Sequence, residues 1–168
     1  MSDKKIGALV IALAAALLPG CSTPEPTEPV TMASSTTFDS PWASAADSGM
    51  TAVFGTLTNT GDHDVQIVGA ESPAAERGEV HEIAPGAGGT NTMRPKEGGV
   101  TIPPGGTHEL TPGGDHLMLM DLTEPLRPGA DVEVTVAFED GSTMSVTAQV
   151  RDFAGGNEEY SPSAHGHG

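Results

Sequence analysis

The chain has 168 residues, and its 23 acidic against 7 basic side chains give a formal net charge of −16. That charge excludes a phosphate-backbone partner, because DNA and RNA binding rests on Lys and Arg neutralising phosphates. A single cysteine, Cys21, excludes a disulfide within the chain and leaves no thiolate for a metal site in the folded part.

In chain order, MSDKKIGALVIALAAALLPGC places Lys4 and Lys5 before an apolar run from Ile6 to Leu18. The run is shorter than the roughly 20 residues that span a bilayer, and its basic flank and small-residue end predict a signal peptide over 1–20. LPGC resembles a bacterial lipobox, which implies a lipid anchor on Cys21 and not a membrane span. STPEPTEPVTMASSTT lacks aromatics and is rich in Pro, Ser and Thr, so 21–37 reads as a flexible tether. Residues 38–153 are then enough for one core.

Within that domain period-2 alternation recurs in short runs bounded by Gly, Pro, Asn and Asp, with no long 3.6-residue periodicity. Strands are predicted over 50–60, 64–72, 78–84, 98–104, 107–111, 116–122, 131–140 and 143–150. The last two read as a hairpin, with Val132, Val134 and Val136 facing Val146, Ala148 and Val150. The fold class is all-β, as a sandwich or small Greek-key barrel. The tail AGGNEEYSPSAHGHG, 154–168, reads as disordered.

No G-x-S-x-G elbow, H-E-x-x-H or P-loop occurs, so the sequence offers no enzyme machinery. The paired Glu158 and Glu159 fall in the tail and read as solvated charge. The run HLMLMDL carries the chemistry: an extended strand sends His116, Met118 and Met120 to one face and Leu117 and Leu119 to the other. Core packing alone also produces such a triplet. Thioethers with imidazoles, however, select Cu(I) over Zn(II), Ca(II) or Mg(II). His81 in EVHEI and Met93 in TNTMRP are further donors of the same kind.

The ordered blocks PW…N-x-G…GA-x-S…VHE…MRP…IPPGG…L-x-PGG-x-HLMLM-x-L…PL-x-x-G, from Trp42 to Val150, resemble the bacterial periplasmic copper chaperones of the PCu(A)C type. The resemblance implies a cupredoxin-like Greek-key β-barrel that binds Cu(I) through two His and two Met. The family motif H-(M)-x10-M-x21-H-x-M falls on His81, Met93, His116 and Met118, with one extra residue between Met93 and His116 that KEGGVTIPP can absorb. Glu82 stands where the bracketed Met would be. Met120, Met50 and Met144 then read as packing, His63 and His108 as solvent-facing, and Trp42 as a cap on the core edge.

The function implied is a monomeric, lipid-anchored extracytoplasmic carrier. It would deliver Cu(I) to the copper subunit of cytochrome c oxidase or to a thioredoxin-like metallochaperone. Copper storage or detoxification, and a structural surface sandwich without metal, are the alternatives. Blue-copper electron transfer is disfavoured because its His₂Cys site needs a cysteine in the domain. His165 and His167 in the terminal HGHG are auxiliary candidates for Cu(II), though glycine-spaced histidines at a terminus can equally do nothing.

Overall fold

The computed structural model describes residues 30–86, 90–153 and 159–160. Signal peptide, Cys21, His165 and His167 lie outside the described residues. Among the described residues no helix is long and apolar enough to cross a membrane.

A 3₁₀ turn at Ala33–Ser35 leads into eleven strands: β1 (Thr36–Ser44), β2 (Met50–Asn59), β3 (Val65–Glu71), β4 (Ala75–Pro85), β5 (Asn91–Pro95), β6 (Val100–Ile102), β7 (Thr107–Leu110), β8 (His116–Leu122), β9 (Asp131–Phe138), β10 (Thr143–Arg151) and β11 (Glu159–Tyr160). They hydrogen-bond in the order β11-β5-β4-β8-β2-β1-β10-β9-β3-β6, with β7 joined to β2 beyond β8. Among the described residues, β1–β10 and β5–β11 are the parallel pairs. The all-β class is as the alternation predicts, and the expected hairpin is β9–β10, paired from Thr143↔Ala137 to Gln149↔Asp131.

This path curls until β3 packs over β4, and the main core lies between the two layers. Inward residues of both hairpin strands (Val132, Val134, Val136, Ala148 and Val150) join Val53, Leu57, Leu117 and Leu119 there. The two layers come close at Gly78 on β4, where an added Cβ would overlap the backbone carbonyl of Ala70 on β3. Backbone cannot swing aside as a flexible side chain can. Gly78→Ala is therefore expected to cost about 3 kcal/mol, the upper part of the range for overpacking, read as a lower denaturant midpoint at unchanged slope.

Four elements differ from the sequence expectation, and one is β5, Asn91–Pro95, where no strand was predicted. The fold starts before residue 38: Thr36 is buried in β1, and Met32 and Ala33 pack against the core. β1 itself is hidden in the sequence by Ser40 and Pro41, where the β1–β2 register slips between Asp39 and Trp42 and Ser40 adopts φ 51°. The bulge is accommodated by Gly55 on β2, at φ 145°, whose Cβ would stand 2.6 Å from the Phe38 ring. Within the tail, Glu159–Tyr160 pair with β5.

Asp140 ties the amino-terminal turn to the β9–β10 hairpin. Its carboxylate accepts the Ser142 hydroxyl at 2.6 Å, the Ser142 N–H at 3.0 Å and the Met32 N–H at 2.8 Å. The bonds from Ser142 and then Met32 hold its pKa below the ordinary carboxylate value. A depressed carboxyl stabilises above its unfolded pKa, and the gain is lost as pH falls through the folded one. Asp140→Asn is expected to cost about 0.5 kcal/mol at pH 7, the low end for hydrogen bonds because the group is exposed. In acid unfolding curves the difference should begin to shrink as pH falls below about 4 and vanish only once pH lies below the depressed folded value.

Candidate metal centre

Alternation along β8 sorts its side chains as an extended strand requires. Leu117 and Leu119 are fully buried in the main core, while Met118 and Met120 join Met93 in a second cluster on the opposite face. The β4–β8 ladder sets His81 directly across from His116, and the β4–β5 ladder sets Met93 across from Ile83, two residues beyond His81. Residues opposite one another or two apart share a face. His81, Met93, His116 and Met118 thus occupy one face of three adjacent strands.

His116 Nε2 lies 3.0 Å from the Met93 sulfur, and its Nδ1 lies 3.0 Å from the carbonyl oxygen of Gly114. A carbonyl accepts only, so Nδ1 carries the hydrogen in the neutral ring and Nε2 turns its lone pair to the thioether. Two lone-pair donors converging in this way make a seat for a soft cation. The residue gained between Met93 and His116 does not separate them. The His81 and His116 rings stand 5.9 Å apart, centroid to centroid. His81 Nε2 is 3.0 Å from Glu79 Oε2, the carboxylate–imidazole pairing that orients histidine ligands and makes Nδ1 the lone-pair nitrogen.

A cleft of about 400 Å³ opens onto this face and is lined by Met93, His116 and Met118 together with Met50, Phe54 and Phe153. His81 lies deeper and does not line it. Among the described residues, no Asp, Glu, Lys or Arg lines the cleft. In a chain of net charge −16, that leaves hard ions without their usual oxygen ligands. No group of three or more His, Cys, Asp or Glu placed to hold a metal occurs among the described residues either. Aromatic rings stack beside the cleft: Trp42 packs on Phe54 at 4.6 Å and on Phe153 at 5.6 Å, and Phe54 lies 6.0 Å from the His116 ring.

The side chains next to the candidate ligands form an ion-pair network. Glu82, after His81, binds Lys96 Nζ at 3.0 Å and Arg94, after Met93, at 2.9 Å. Lys96 also reaches Asp115, before His116, at 3.3 Å. Its hydrogen bonds, from Lys96 first and then Arg94, hold Glu82 below the ordinary glutamate pKa, and Glu82 in turn raises Lys96. β4, β5 and the entry to β8 are thereby cross-linked beside the site.

Met120 is buried on the same face but does not line the cleft, as a packing residue should. Met50 corrects the sequence expectation, because it is exposed at the cleft and not packed inside. His63 is exposed as expected, whereas His108 is only partly so and pairs with Asp115 at 3.0 Å. Glu79, Met50, Phe54 and Phe153 were missed as neighbours of the site. Spacing i, i+2 to His81 could have flagged Glu79; the others depend on which strands pair.

The fold is that of PCuAC domains: the copper-bound PCuAC domain of PmoF2 matches with a TM-score of 0.58 at 21% identity, over 71% of this chain and 94% of that one. The Cu(I) form of DR1885 from Deinococcus radiodurans matches with a TM-score of 0.50 at 34% identity, over 70% of this chain and 80% of that one. The chain belongs to the LpqE-like family, described as "Putative lipoprotein LpqE-like", whose model matches residues 36–150. A relative from Leifsonia xyli subsp. xyli, "Putative lipoprotein Lxx21020", is 47% identical over 119 residues, 71% of each chain. None of these descriptions names a catalytic activity.

Proposed function

We propose that the protein is an extracytoplasmic, lipid-anchored copper chaperone that binds one Cu(I) through His81, Met93, His116 and Met118. The observation that carries this reading is the convergence of the His116 Nε2 lone pair and the Met93 sulfur at 3.0 Å in a cleft that carboxylates do not line. Four neutral donors leave the centre with the single charge of Cu(I) and without the tight hold of thiolates. A carrier needs such a site, because it must also release. DR1885, solved with Cu(I), and the copper-bound PmoF2 domain support copper as the cargo.

The lipobox at Cys21 and the lipoprotein descriptions of the family and the Leifsonia relative support an anchor at the outer face of the cell membrane. The recipient in this reading is the copper subunit of a cytochrome c oxidase or a thioredoxin-like intermediary. The terminal His165 and His167 would serve as a Cu(II) capture site. A Cu(I) titration of the chain from Ser22, against a chromophoric chelator, tests the central part. One equivalent bound supports the proposal; no binding at chelator-competitive strength removes it.

A further inference from the structure

The soft donors on this face form a graded series from solvent to interior. Met50 is 38% exposed, Met93 8%, His116 and Met118 3% each, and His81 0%. Met50 opens β2, directly across the ladder from Met120 and diagonal to Met118, and it lines the same cleft as Met93, His116 and Met118. Diagonal cross-strand neighbours stand about 7–8 Å apart, within reach of long side chains. The residue opposite Met118 on β2 is Ala52, a small side chain beside the row that joins them. Methionine has three rotatable side-chain bonds and a polarisable sulfur, and can swing to a metal that a rigid side chain could not meet.

Resting on the Cu(I) reading above, we infer that Met50 is a transit ligand: the thioether that takes Cu(I) at the cleft mouth and passes it between solvent or an acceptor and the buried donors. In the exchange a bond from the Met50 sulfur to copper forms as one from a buried donor breaks. Both ligands are neutral, so the metal keeps its charge, and no proton or electron moves. The lining of the mouth suits this role, since Ser44, Pro112 and Gly113 offer no soft donor and, among the described residues, Met50 alone supplies one there. An exposed methionine used only for packing would have no effect on metal exchange.

A transit ligand lowers the barrier in both directions without changing the equilibrium. The test is Met50→Leu, which keeps the apolar bulk, compared with wild type for Cu(I) affinity and for the rate of Cu(I) transfer to and from a chromophoric chelator. Affinity should stay within about threefold while both rates fall about tenfold, the effect of raising only the barrier. Met144→Leu, on β10 and absent from the cleft lining, should change neither. Unchanged rates in Met50→Leu overturn the inference and leave the copper site standing. A tenfold loss of affinity also overturns it, by making Met50 a resident ligand. If the wild type itself binds no Cu(I), both readings fall together.

Discussion

Replacing Met93 and Met118 together by leucine is expected to weaken Cu(I) binding at least about a hundredfold, or roughly 2.7 kcal/mol, while the protein stays folded. The two sulfurs are buried in one cluster with Met120, Ala52 and Ile83, outside the main core. Leucine has nearly the volume of methionine, so each exchange should cost less than about 1.5 kcal/mol of stability. What leucine lacks is a sulfur lone pair. The double variant would keep His116 and His81, and two imidazoles alone favour Zn(II) and Cu(II) as much as Cu(I). Its discrimination for Cu(I) over Zn(II) should therefore fall along with its affinity, a change that mere loosening of the fold would not give.

The second large effect comes from the other face of the same strand. Leu119, one residue beyond Met118, is fully buried between the two layers with Leu117, Val53 and Val134. Leu119→Ala removes three carbons from a packed core and is expected to cost 2–5 kcal/mol, since the transfer and cavity terms add. The loss should appear in chemical denaturation of the apo protein. Cu(I) affinity, measured under conditions where the variant is still folded, should change by less than about threefold, because Leu119 points away from the donors. Stability and binding would then separate at adjacent positions. A loss of both together in Leu119→Ala would mean that the two faces are coupled more tightly than the clusters imply.

That separation is also why β8 was legible in sequence. HLMLMDL alternates donors and leucines, and the two faces of a strand cannot exchange members without a slip in register. The paired valines of β9 and β10 were readable for the same reason. β5 was not. Its five residues, Asn91–Pro95, contain one buried side chain, Met93, end in proline, and present no alternation to see. Met93 was found by its motif spacing, and its strand emerges only from pairing with β4. β1 was obscured by the Ser40–Pro41 bulge, which depends on Gly55 across the ladder. Met50 sits in a strand of plain alternation, yet its exposure follows from standing at the strand end beside the cleft, which local sequence does not encode. The pairing of Glu159–Tyr160 beside Met93 was hidden in a polar tail for a similar reason: two residues carry no period.

The proposed site requires sulfur and nitrogen to meet at one metal. X-ray absorption at the copper edge of the Cu(I)-loaded protein tests this most directly. Two sulfur and two nitrogen scatterers are predicted, with the sulfur shell lost in the Met93→Leu/Met118→Leu variant. A shell of nitrogen and oxygen alone in the wild type would contradict the site built here.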